Sequence, residues 1–445
     1  MRAVPILLLV LAVPLSAADL ASVVGEALSR SPALAETRAR AREARAAGDE
    51  ASYSRLPHLT ARASALRSDD PLFSFGSLLQ ERRVTQADFA PDTLNRPGYQ
   101  TAVHGSLELG IPLFTGFELT RARELARLGE SEADAFGGAA AQAVRLRAAD
   151  GYVRGLKDRA LLVELDARID SAQKEVESAE RLKKQGLVLG SDHQAALAIL
   201  SGLKSWRARA AAEKRAHDSE MSVLVGAPAP EPSGLLRDWT PPVEDDATLI
   251  AAALASRSDL RAAGIRVSQA GVRERGAAQS YFPVVDAFAA VETSADGLNT
   301  GAAARLIGLR ASMPFGDPAY LARRGRAKAG ADAAGASRSQ MEDEVRGEVL
   351  GRANGVRGLI ATLPDLNDSL NRARESLDLV RPLYREGRQS ILEVLRAEEA
   401  VARLDDSRLE SVYRLRSEWA GLRAAQGRLD DEAVTALSGS LVNAR

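Results

Sequence analysis

The chain has 445 residues, is 45% hydrophobic and only 4% aromatic, and its 59 Lys+Arg against 60 Asp+Glu leave a formal net charge of -1. That balance excludes an ordinary nucleic-acid binder, which carries a basic surplus somewhere along the chain. The absence of cysteine excludes disulfides, thiolate metal sites and lipidation on an N-terminal cysteine.

Arg2 precedes an apolar run from Ala3 to Leu15 that ends in Ser16-Ala17-Ala18, the pattern of a secretory signal peptide over residues 1–18. The run is short for a spanning helix and contains Pro5 and Pro14, and no later segment offers the ~18 apolar residues such a helix needs. Any crossing of a membrane by the mature chain therefore has to use a closed β-barrel.

Residues 19–225 read as one structural repeat. A first helix is followed by a strand pair at about 57–66 and 101–114, and both members alternate. Leu59, Ala61, Ala63 and Ala65 oppose His58, Thr60, Arg62 and Ser64, while Val103, Leu107, Leu109 and Ile111 oppose His104, Ser106 and Glu108. The connection from Arg67 to Gly98, with Asp69-Asp70-Pro71, reads as a long loop. A helix over 118–185 carries no proline, and Leu162, Leu165, Ile169, Ala172, Val176 and Ala179 recur at three and four, which is coiled-coil spacing. Such a rod of about 65 residues spans about 100 Å. After a turn, a second helix occupies 191–225, and a Pro-rich linker covers 226–246.

Residues 247–430 repeat the plan. Ala253 to Leu260 aligns with Ala27 to Leu34, and Ser280 to Pro283 with Ser54 to Pro57, both at an offset of 226. Strands at about 283–294 and 304–315 set Val285, Ala287, Ala289 and Val291 away from Asp286 and Glu292; a shorter loop, from Ser294 to Ala303, joins them. A helix over 317–386 is expected to be interrupted by Pro364 and Pro382. Gly347, Gly351 and Gly355 read there as local weakening rather than as a seam of closely approaching helices. A helix at 390–430, in which Val412, Leu415, Trp419, Leu422, Gln426 and Leu429 keep helical register, leads into a tail at 431–445.

Four strands cannot close a membrane barrel. Two chains would supply eight and three would supply twelve, and only the larger number leaves a lumen. The fold class is mainly α with a membrane β-barrel part. No nucleophile elbow, phosphate loop or metal spacing argues for catalysis or a cofactor. His58, His104, His193 and His217 read as lumen or surface residues, and Asp245-Asp246 and Asp405-Asp406 as solvated faces.

With this order of elements the chain resembles the TolC-like outer-membrane efflux family over nearly all of its mature length. The likeness rests on the duplicated helix starts and on Pro57 and Pro283. It rests also on Pro112-Leu113-Phe114-Thr115-Gly116 with Pro314-Phe315-Gly316, and on the turn motifs Gly186 to Asp192 and Gly387 to Leu395. The resemblance implies a homotrimer with a twelve-stranded β-barrel in outer-membrane lipid of a Gram-negative cell, a helical tunnel through the periplasm, and an equatorial region built from the linker and C-terminus. It implies an efflux or type I secretion duct, served by a periplasmic adaptor protein and an inner-membrane transporter, with no nucleic acid and no cofactor. Adaptor docking falls to the turn residues Gly186, Leu187, Val188, Gly190, Ser191, Gly387, Arg388 and Ser390. Tyr384 matches a gate tyrosine bonded to the acid at Asp192, and Gln389 stands where some members have a gating arginine. Glu393 matches an acidic ring at the narrow opening, and Arg396 stands where a second acidic ring is found, which would partly neutralise it. On local grounds alone, Asp192 and Glu393 also suit helix N-terminal positions, and Tyr384 suits packing. The other reading of the whole is a periplasmic coiled-coil adaptor or scaffold that forms no pore.

Overall fold

The computed structural model describes residues 19–186, 188–297 and 301–442. Residues 1–18, where a signal peptide is expected, Leu187, part of the 294–303 loop and the last residues of the tail lie outside the described residues. In chain order the helices and strands are α1 (Leu20–Arg30), α2 (Pro32–Tyr53), β1 (His58–Ser68), α3 (Pro71–Gln80), α4 (Pro91–Asn95), β2 (Gln100–Thr115), α5 (Glu118–Lys184) and α6 (Gly190–Val225). There follow β3 (Leu235–Leu236), α7 (Asp246–Ser256), α8 (Ser258–Ala278), β4 (Val284–Ala295), β5 (Ala302–Ser312), α9 (Tyr320–Arg385), α10 (Ile391–Ala425), α11 (Asp431–Gly439) and β6 (Leu441–Val442).

One compact unit is built from residues up to 38, 135–261 and 339 onward. Here α5 and α6 form one antiparallel pair and α9 and α10 another, and their apolar faces meet. Ala172, Val176 and Ala179 of α5, Ala196, Leu200 and Leu203 of α6, Leu370 and Leu377 of α9, and Val394 and Leu395 of α10 share one core toward the turns. Farther along, Leu20, Val23 and Val24 of α1 join Tyr152, Leu156, Trp419, Val434 and Leu437 in a second core. The expected tail is thus partly a helix, α11, capped by Asp430, whose carboxylate accepts from Ala433 N at 2.9 Å. Leu441 pairs with Leu236 of the linker.

Arg416 fastens that corner. It is fully buried, and it donates to the carbonyls of Val412, Arg237 and Ser440 and to Ser440 Oγ at 2.9–3.1 Å. Its guanidinium lies over the Trp239 ring, 5.4 Å from the centroid. Among the described residues no carboxylate pairs with it, and burial pulls its pKa down to about 10.

α9 runs unbroken through Pro364 and Pro382, contrary to the sequence expectation. Each proline removes one backbone donor, but Leu363, Leu370, Leu377 and Tyr384 are all buried on one face and hold both flanks in place. A Cβ added at Gly347 or Gly351 would meet nothing within 4 Å, and at Gly355 it would meet the Glu418 side chain, so these glycines make no backbone seam in the chain.

The second unit comprises residues 39–134 and 262–338. Its centre is a four-stranded antiparallel sheet in the order β1-β2-β4-β5. The registers Leu59↔Leu109, Leu109↔Ala289 and Ala289↔Ile307 place the odd-numbered apolar side chains on one face, and Thr60↔Glu108, Glu108↔Ala290 and Ala290↔Leu306 place the even-numbered set on the other. On the even face, Arg62 pairs with Glu108 at 2.8 Å and His104 Nδ1 meets Ser294 Oγ at 3.0 Å. The register shifts between Pro112 and Phe114, where proline lacks the ladder N–H. The long β1–β2 connection is not simply a loop: it contains α3 and α4. Among the described residues no helix is long and apolar enough to cross a membrane.

Candidate functional site: the helix turns and the ionic ladder above them

Both helix pairs turn through a glycine in the left-handed region, Gly186 at φ 79° and Gly387 at φ 73°. The Gly186 amide bonds Lys183 O at 2.9 Å, the Gly387 amide bonds Tyr384 O at 2.9 Å, and Arg388 N closes onto Leu383 O at 2.8 Å. A side chain at either glycine would be strained, which is why the two motifs share this residue. Ser390 caps α10 by accepting from Leu392 N at 3.2 Å, and its hydroxyl also donates to Asp192 at 3.4 Å, joining the two turns. Ser191 contacts the same carboxylate at 3.4 Å.

Tyr384 does not bond Asp192 within the chain. Its ring is buried among the turn-side core, and its hydroxyl is enclosed without a hydrogen-bond partner, although Ser178 stands near it. Burial pushes its pKa up. Glu393 and Arg396 pair with each other at 3.0 Å on the exposed side of α10. Gln389 and Gly387 are exposed, Arg388 reaches Glu386 at 3.5 Å, and Val188, Gly190 and Ser191 lie at the surface of the other turn or half-buried there.

Sequence reasoning missed a set of charges above the turns. Glu398 of α10 is completely buried. It accepts from Ser171 Oγ at 2.7 Å and Arg168 at 3.3 Å, both on α5, and from Arg381 on α9. Seven residues on, Asp405 accepts from Arg374 at 2.7 Å, and Arg168 stands 3.7 Å away. Arg374 and Arg381 are themselves one heptad apart, so two rungs join α9 to α10 and Arg168 ties both to α5. Asp405 is therefore not on a solvated face, and burial raises its pKa even with arginines beside it. Eight residues at 1.5 Å each put Glu398 about 12 Å from Ser390 along the helix.

The signal for this ladder was available. Ile391, Glu398, Asp405, Val412, Trp419 and Gln426 are all buried at a spacing of seven, so extending the C-terminal register backward places two carboxylates in core positions. Histidine needs a similar correction. His193 is buried with both ring nitrogens unpartnered among the described residues, so it is not a surface residue within the chain, whereas His217 is half-buried and holds Asp158 at 2.6 Å. Among the described residues no group of His, Asp and Glu could hold a metal ion.

Duplicated helix pairs, together with a four-stranded sheet that is apolar on one face, have parallels among known proteins. Residues 249–428 match the family model for outer membrane efflux proteins. Over that stretch the chain is similar to that family. Its members are channels and not enzymes. Similar structures include a membrane protein of Pseudomonas aeruginosa (TM-score 0.78, 18% identity, 92% of this chain and 93% of that one). The Campylobacter jejuni CmeC outer membrane channel gives a TM-score of 0.78 at 15% identity, with 95% and 89% covered. The outer membrane protein VceC of Vibrio cholerae gives 0.74 at 20%, with 92% and 96% covered. At these identities the likeness establishes the fold. No curated protein matches the chain significantly in sequence. The family model covers the second repeat, the half that carries Tyr384, Glu393 and the ladder residues of α9 and α10.

Proposed function

We propose that the chain forms a trimeric exit duct in the outer membrane, continued into the periplasm by its helices. It would take cargo from a periplasmic adaptor and an inner-membrane transporter in a tripartite efflux or type I secretion assembly. The observation that carries this reading is the sheet. It has one apolar face, with Ile307 89%, Leu309 72% and Leu59 64% exposed, and among the described residues its outer strands β1 and β5 each lack a partner on one side. Exposed apolar edge strands are unstable in water but become ordinary when neighbouring copies pair with them and lipid covers the face. Three copies of a four-stranded sheet would supply twelve strands, and the strands, 11 to 16 residues long, suffice to span hydrocarbon.

Aromatic residues support the same placement. Phe114, Phe117 and Phe282 stack edge to face with centroids 5.2 and 5.6 Å apart, and Tyr281 meets Tyr320 at 4.3 Å, at the end where strands meet helices. Phe75 and Phe89 meet at 5.5 Å in the connection beyond the other end. Rims of this kind suit the two interfaces of a bilayer.

The turns are the proposed adaptor-docking tip and gate. Closure would rest on the Asp192–Ser390 contact between turns and, above it, on the Glu398 and Asp405 ladder; Tyr384 would contribute by packing. The Glu393–Arg396 pair leaves little net charge at the tip, so a cation-selective ring is not expected there. The deciding experiment is membrane fractionation followed by native mass measurement after gentle detergent extraction. An outer-membrane trimer is expected; a soluble monomer or dimer would overturn the duct and favour a periplasmic scaffold.

A further inference from the structure

The connection between β1 and β2 does not project away from the sheet. Asp70 caps α3 by accepting from Phe73 N at 2.8 Å, and Ser74 Oγ reaches back to Ser68 O at 3.5 Å, which holds the start of α3 at the edge strand β1. At its far end Arg82 donates to Ala303 O of β5 at 3.0 Å, and Arg83 pairs with Asp296, just past β4. The segment is thus fastened at both edges of the sheet and crosses it. It crosses the even, polar face: a cleft of about 1190 Å³ is lined by Leu72 and Gly76 of α3 together with Ser64, His104, Ser294 and Leu306 of the four strands. Ala102, on that face of β2, is completely buried.

α3 is apolar for a segment in this position (PLFSFGSLLQ), and it directs its small residues Ser74 and Ser77 inward while Leu72 is 86% and Leu79 52% exposed. In a barrel that puts the odd face toward lipid, whatever stands above the even face and is not in contact with it faces the pore axis. We propose that α3 is a ledge inside the outer mouth of the pore, and that Leu72, repeated by symmetry, forms an apolar constriction setting conductance and excluding large or strongly hydrated cargo. The inference rests on the trimeric-duct reading above. Apolar constrictions restrict ions by narrowing the path and by dewetting.

The chain has no cysteine, so Leu72→Cys introduces its sole thiol, and the exposed position makes misfolding an unneeded explanation. Trimers of Leu72→Cys, Thr60→Cys and Ile307→Cys would be recorded in planar bilayers before and after a trimethylammonium thiosulfonate, with labelling read by mass. Expected is a fall of about half or more in Leu72→Cys conductance, in discrete steps. A response of Thr60→Cys on the even face and none of Ile307→Cys on the odd face completes the pattern. Leu72→Ser, unlabelled, should conduct more than wild type. If Thr60→Cys responds while Leu72→Cys is labelled without effect, or stays unlabelled, the ledge is overturned and the duct stands. If Ile307→Cys responds and Thr60→Cys does not, or no variant passes current, the duct reading itself fails.

Discussion

α5 and α9 are counterparts of nearly equal length, 67 and 66 residues, yet they are covered differently. α5 buries Ala126, Ala133 and Ala135 early in its course and continues to bury residues as far as Ala179. In α9 the first buried residue is Val345; from Tyr320 to Glu344 every side chain is exposed or only half-buried. Beyond that point α9 buries Val349, Val356, Leu363, Leu370, Leu377 and Tyr384 at a strict spacing of seven. Duplication therefore preserved the rod and divided its partners. The later part of α9 is satisfied by α10 and its neighbours in the same chain, while the earlier part has a face that a second copy would cover under the trimeric reading.

Substitutions can break this contrast. The largest effect is expected from Glu398→Ala, which removes the buried acceptor shared by Ser171, Arg168 and Arg381 and leaves the two arginines only their longer contacts with Asp405, Glu164 and Asp378; loss of a buried partner costs about 3 kcal/mol or more, visible as a lower midpoint in urea melts of the detergent-solubilised protein. Leu377→Ala removes one heptad side chain from a closed core and should cost about 3 kcal/mol by the same measurement. Tyr384→Phe tests whether the gate uses the hydroxyl. Because that oxygen is buried and unpaired, the variant should match wild type or gain about 1 kcal/mol, with closed-state current unchanged. A leak would instead restore the hydroxyl to the gate.

Asp405→Asn gives a smaller, pH-dependent effect. Burial raises the folded pKa of Asp405 above its unfolded value, so between those values the folded chain binds more protons than the unfolded one. The stabilisation from this group is lost as pH rises through the folded pKa, and wild type should gain on Asp405→Asn as pH falls from 7 toward about 4, by on the order of 1 kcal/mol at most. Parallel melts at the two pH values decide it. Leu321→Arg, at a site 74% exposed, should change chain stability by less than about 0.5 kcal/mol. Native mass should nonetheless show loss of trimer, and an intact trimer would mean that the bare part of α9 needs no second copy.

Legibility followed the same division. The alternating strands and the long helices were visible because a period of two and a period near 3.6 are written directly in side-chain polarity. The core positions of Glu398 and Asp405 follow from the heptad register, but their arginine partners and the burial of Arg416 were not visible, because a charged residue gives no sign that its partner lies on another element 17 to 230 residues away. α3 escaped notice for a related reason: a ten-residue apolar stretch among turn residues is consistent with several fates.

The sequence by itself determined the duplication, the four amphipathic strands and the heptad rods, since each is a local pattern that any fold of this chain must respect. Only the tertiary structure decided that α3 lies across the polar face of the sheet, that Asp192 meets Ser390 while Tyr384 turns inward, and that arginines of α5 and α9 meet the two carboxylates of α10. These outcomes depend on which elements pack together, because burial changes the energetic meaning of a charge or a hydroxyl by several kcal/mol, and burial is a property of neighbours that the linear order of residues does not contain.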